Sequence, residues 1–75
     1  MSMDLQYIVI VEKGSNSYGA YVPDLPGCVA VGDNKEEVLR LIREAIELHF
    51  EDLHERGEPI PKPCSTGEFV SVSAA

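Results

Sequence analysis

Six side chains are the first candidates for chemistry in this 75-residue chain: Asp24, Cys28, Asp33, His49, His54 and Cys64. A nucleophilic cysteine needs a base and a positive setting that lowers its pKa. Cys28 instead follows Pro26-Gly27 in a turn, where a small buried residue is the simpler reading. Neither cysteine has the CxxC neighbour of a zinc site. The two thiols leave two readings open, a single Cys28–Cys64 bridge or two free thiols, and a reducing compartment favours the second. His49 and His54 are five residues apart and do not share a helix face, so they are not a HExxH pair. Asp24, inside "PDLPG", reads as a turn carboxylate that accepts backbone hydrogen bonds within its own turn. No glycine-rich phosphate loop or nucleophile elbow occurs. These residue types at these spacings point to no reaction, no cofactor and no metal. The stretch from Ala20 to Glu37 reads as turn and cap chemistry.

The elements around these residues follow from periodicity. "LQYIVIVE" alternates and is β-branched, which predicts a strand over residues 4–12. "KGSNS" is turn chemistry, and "YGAYV" is the returning strand, residues 18–22. Pro23 and Pro26 cannot donate to a ladder. Leu25-Pro26-Gly27-Cys28 has Pro and Gly at the two central positions of a type II turn. "CVAVG" is a short third strand. Asn34 is an N-cap, and Glu37 three residues later completes an Asn version of the capping box. The helix is expected over Lys35–Arg56, with Gly57 at C′.

Leu39, Ile42, Ile46, Phe50 and Leu53 form its apolar stripe, widened by Val38, Ala45 and His49. The opposite face carries Glu36, Arg40, Arg43, Glu44, Glu47, Glu51 and Glu55, a solvated face with Arg40–Glu44 and Arg43–Glu47 at ion-pair spacing. Prolines at 59, 61 and 63 make a stiff connector, which Ile60 should pin to the core. "EFVSVS" is expected as a fourth strand, residues 68–73. The chain therefore reads as one α+β domain, residues 1–75, with a β-β-β-α-β order and a right-handed parallel crossover into the last strand.

Charge bounds the partners. Six basic residues stand against thirteen acidic ones, for a net charge of −7. Nucleic-acid binding rests on Lys and Arg at phosphates, so this balance excludes direct nucleic-acid contact. It suits a basic protein partner instead. No run of about 18 apolar residues exists to span a membrane. "MSMDLQ" has neither the basic start nor the apolar core of a signal peptide, so the cytoplasm is the expected location.

One mismatch carries information. In the first strand Leu5, Tyr7, Val9 and Val11 point one way, and Ile8 and Ile10 the other. Tyr18, Ala20 and Val22 likewise part from Tyr21. One helix covers one face of a sheet, and an exposed apolar face usually marks an interface. A chain of this size buries only about 60% of its unfolded surface, so association is the expected source of added stability. Ile8 and Ile10 are the candidate contact between copies in a homodimer or higher homo-oligomer. The alternative is that the helix and the proline connector wrap both faces. Tyr18, Tyr21 and Asp24 are the candidates for contact with another protein.

The motif running from Tyr18 through Ala20-Tyr21-Val22-Pro23-Asp24-Leu25-Pro26-Gly27-Cys28 to Gly32-Asp33, with the Asn34 cap and Gly57…Ile60-Pro61…Pro63, resembles the HicB-like antitoxin family, from about Tyr7 to Val72. The resemblance implies a partial ribonuclease-H-like fold with sheet order 3-2-1-4. It implies a small basic partner, a HicA-like RNA-cleaving toxin, whose active surface the antitoxin covers. Many relatives add a C-terminal DNA-binding segment. This chain stops at Ala75, so the expectation is a short form without operon repression. The rival readings are a solo self-associating regulatory domain without a toxin and a vestigial ribonuclease-H-like hydrolase.

Overall fold

The computed structural model describes residues 4–74. Three strands form one antiparallel sheet in the order β1-β2-β3: β1 Ile10–Lys13, β2 Tyr18–Tyr21 and β3 Val29–Gly32. The helix α1, Lys35–Glu55, packs on one side of it. The α+β architecture, one sheet on one long helix, is as the residue pattern implied. The hairpin closes at Lys13↔Tyr18, with the Gly14 N–H donating to the Ser17 carbonyl at 2.7 Å.

Pairing is shorter than the apolar alternation. Residues 4–9 continue the pattern of β1, with Tyr7 and Val9 facing the core beside Val11, but have no ladder partner. The expected fourth strand needs a larger correction. Residues 68–73 join no sheet, and Phe69, Val70 and Val72 stand in solvent. The order 3-2-1-4 therefore holds only for its first three strands. Alternation shows that a segment is fit to be a strand; a ladder also needs a second backbone beside it.

The turn after β2 is built as its residues dictate. The Cys28 N–H donates to the Leu25 carbonyl at 3.1 Å, and Gly27 takes φ +91°, completing the type II turn. A second turn, with the Leu25 N–H on the Val22 carbonyl at 3.1 Å, precedes it across Pro23 and Asp24. Together they drive Leu25 to 0% exposure and set Cys28 beside it in the core with Ala20, Val22, Val38 and Ile42.

At the start of α1 the Asn34 Oδ1 accepts from the Glu37 N–H at 2.8 Å. The Glu37 carboxylate reaches back to the N–H of Asp33, one residue before the cap, at 2.9 Å. Replacing Asn34 by Ala leaves the Glu37 N–H unpartnered, and the expected loss is about 1 kcal/mol in urea unfolding. Gly32 meets this turn closely: a Cβ there would lie 2.9 Å from the Val38 nitrogen. Gly32→Ala must push β3 off α1. The helix ends in a Schellman motif: Glu58 N–H to the Leu53 carbonyl (2.9 Å), Gly57 N–H to that of His54 (3.1 Å), with Gly57 at φ +70°. Arg40–Glu44 forms at 3.1 Å, whereas the Arg43–Glu47 pair does not; Arg56–Asp52 at 2.8 Å forms instead.

Candidate interaction surfaces

Strand parity decides what the helix covers. Tyr7, Val9, Val11, Tyr18, Ala20 and Ala30 face α1. The opposite face is left bare. There Ile10, Tyr21 and Val29 stand in one cross-strand row, and Glu12, Gly19 and Val31 in the next. Tyr21 is 40% exposed, Val29 65% and Val31 68%. Ile8, two residues before Ile10, is half-buried under the tail, whose Gly67 backbone lies against its side chain. The proline connector therefore touches one corner of this face and does not cover it.

The expected site residues regroup accordingly. Tyr18 and Tyr21 point to opposite sides of the sheet, so they do not form one contact patch. Tyr21 joins Ile8 and Ile10 instead. Val29 and Val31 belong with them and were absent from the candidates, although alternation along "CVAVG" carries the signal. Gly19, without a side chain, leaves a flat place between Glu12 and Val31.

Asp24 has a different occupation from the one its turn suggested. Its carboxylate accepts from a segment forty residues later: from the Cys64 and Ser65 N–H groups at 3.0 Å each, the Ser65 hydroxyl at 2.7 Å and the Cys64 thiol at 3.2 Å. The Tyr7 hydroxyl donates to the Pro61 carbonyl alongside. This clamp, rather than Ile60, fixes the connector; Ile60 stays 42% exposed beside Phe50 and His54. Cys28 and Cys64 are both free thiols, the first in the core and the second in the clamp.

The electrostatics follow from the clamp. The Ser65 backbone N–H and hydroxyl, then the Cys64 backbone N–H and thiol, hold the Asp24 carboxyl well below the usual carboxylate range. The hydrogen bond to Asp24 and its negative charge push the Cys64 thiol up. Burial, and then the Asp24 charge, raise the Tyr7 phenol. Burial raises the Cys28 thiol. A carboxyl whose pKa is lower folded than unfolded contributes stability above the unfolded pKa, about 3.9. The clamp is therefore at full strength at neutral pH and weakens as pH falls below that value. Asp24→Asn removes the charge that disfavours the Cys64 thiolate. Alkylation of Cys64 by iodoacetamide at pH 8 is expected to speed up, because the thiolate fraction rises once the neighbouring negative charge is gone. An unchanged rate would mean that the clamp does not form.

The comparisons with known proteins fit this geometry. The family model for the HicB-like antitoxin of bacterial toxin–antitoxin systems matches residues 7–73. A UPF0150 protein of Helicobacter pylori is 54% identical over 44 residues, 59% of this chain and 61% of that one. Antitoxin HicB 2 of Photorhabdus laumondii is 33% identical over 76 residues, covering 100% of this chain and 55% of its own. The chain thus spans less than two thirds of the length of either relative. The crystal structure of the N-terminal domain of Burkholderia pseudomallei antitoxin HicB superposes with a TM-score of 0.70 at 39% identity, over 77% of this chain and 69% of that one. The three-stranded sheet on one helix is thus shared with an antitoxin domain, and the chain belongs to the HicB-like antitoxin family of bacterial toxin–antitoxin systems.

Proposed function

We propose that the chain neutralises a small basic RNA-cleaving toxin of the HicA-like kind in the cytoplasm, by covering its active surface. The observation that carries this reading is the bare face of the sheet, apolar through Tyr21, Val29 and Val31, on an antitoxin-family chain of net charge −7. An enzyme that cleaves RNA presents cationic groups to phosphates, and an acidic binder matches them. An exposed Tyr among β-branched residues is a frequent anchor of such contacts. The role is binding, not catalysis.

The bare face has room for two contacts. Tyr21 and β3 supply the toxin half. Ile8 and Ile10, on the β1 side, supply a contact between two copies of the chain. Asp24 acts on both through the connector it holds, and Tyr18 supports β2 from the helix side. Co-expression with a HicA-like toxin tests the reading: growth is restored and the two proteins co-purify. Loss of both results, with the antitoxin folded and abundant, overturns it. The second reading, a self-associating domain without a toxin, draws on the same Ile8 and Ile10 contact. It predicts full association and no rescue.

A further inference from the structure

The chain carries two backbone segments that alternation fits for a sheet and that no ladder uses. One is residues 4–9, the N-terminal extension of β1 along the open edge of the sheet. The other is residues 68–73, "EFVSVS", where Phe69 is 105% exposed. An apolar strand left in water beside an unprotected edge is a pairing hazard that folded proteins ordinarily remove. Here both features persist in the same chain, and Gly67, one residue before the second segment, lies against Ile8 in the first. The longest dimension of the molecule is 52 Å, against 26 and 21 Å for the others. A 21-residue helix accounts for only about 32 Å of that length.

The connector explains why the arm ends where it does. Asp24 grips residues 64 and 65, and Gly67 rests on Ile8, so the arm leaves the body beside the start of β1. Residues Thr66 to Phe69 border the same hollow as Ile8, Ile10 and Leu39. Although it starts beside its own β1, the arm forms no ladder with that edge over residues 68–73.

The geometry points to strand exchange: residues 68–73 of one copy add to the open β1 edge of a second copy, and the second copy returns its arm to the first. Exchange of an identical element closes a two-fold dimer, and added strands are held by backbone hydrogen bonds with pockets for alternate side chains. Those alternate places exist on both sides of β1. Leu5 and Leu39 stand exposed on the helix side, and Ile8 and Ile10 lie on the bare side. Phe69 on one face of the arm and Val70 with Val72 on the other supply an occupant for each. One aromatic ring alone brings about 150–250 Å² to such a contact. Two reciprocal arms of six residues suit the roughly 1,200–2,000 Å² of a stable interface. The inference rests on the reading above that two copies associate, and it names the segment that joins them.

Sedimentation equilibrium on the full chain gives the test. The expected mass is twice 8.2 kDa. Val70→Pro with Ser71→Pro removes one N–H from each side of the arm, so a ladder donor is lost whichever side faces the partner, while the body is left untouched. The expected result is a dissociation constant at least tenfold weaker with helicity unchanged. A wild-type monomer overturns association itself. A dimer that survives the prolines keeps association and overturns exchange. Should the double-proline chain lose helicity, a second experiment decides in a Cys64→Ser background. One chain carries Gln6→Cys and the other Val70→Cys, and the two are mixed under oxidation. A mixed 6–70 disulfide, identified by mass, supports exchange; its absence overturns it.

Discussion

Leu25→Ala is expected to remove roughly half of the stability of the fold, read as a lowered midpoint of the cooperative urea transition followed by the far-ultraviolet helix signal. Leu25 has no exposed surface, and it sits where the two turns of the Pro23–Cys28 stretch hand the chain into the core. Removing its isobutyl group forfeits transfer energy and opens a cavity, at about 2–5 kcal/mol for a buried Leu. A domain of this length holds roughly 4–11 kcal/mol in all, at about 0.05–0.15 kcal/mol per residue. The backbone cannot collapse into the gap, because Pro23, Pro26 and the positive φ of Gly27 fix the loop that would have to move. Leu25→Met, which conserves volume, should cost less than about 1.5 kcal/mol. If Leu25→Ala unfolds at the same urea concentration as the parent chain, the turn is not a core element.

Tyr21→Ala and Val31→Asp should each abolish protection against the toxin while leaving the fold and the mass in solution unchanged. Tyr21 is the aromatic of the bare face, and Val31 is its most exposed residue on β3. Anchors of this kind are worth about 2–4 kcal/mol, or roughly 30-fold to 1,000-fold in affinity. Neither side chain belongs to the core under α1, so the loss of stability should stay near about 1 kcal/mol, the span of strand propensity. The contact between copies lies on β1 and the arm, so the oligomeric mass should not move. Titration calorimetry against a purified, catalytically dead HicA-like toxin checks the affinity, and colony growth checks protection. Wild-type affinity in both variants would place the toxin elsewhere.

Local chemistry was legible in the residues. Pro26-Gly27 wrote the type II turn, Asn34 and Glu37 wrote the helix start, and Gly57 wrote its end; each depends on neighbours within four positions. The bare face was legible too, because strand parity separates Ile8, Ile10 and Tyr21 from the residues that meet α1. The same parity separates Tyr18 from Tyr21 and adds Val29 and Val31. What was not legible depends on distance along the chain. A carboxylate in a turn and two N–H groups forty residues later share no period, so the Asp24 clamp left no trace in the pattern. The fate of residues 68–73 was hidden for a related reason. Alternation states an aptitude for pairing, while the identity of the neighbouring strand depends on where a distant anchor sets the segment down.

The Asp24 clamp and the Schellman end of α1 bracket a span whose length cannot drift. The helix departs from Asn34 beside the sheet, and the connector must bring residues 64 and 65 back to a carboxylate in the turn after β2. Deleting one helical residue shortens α1 by about 1.5 Å and swings everything after it by about 100°. Such a deletion would aim the connector past Asp24. The helix therefore works as a ruler. Among relatives, length variation should collect in the hairpin at Gly14–Ser17 and beyond the arm, while the interval from Asn34 to Gly57 stays constant to the residue.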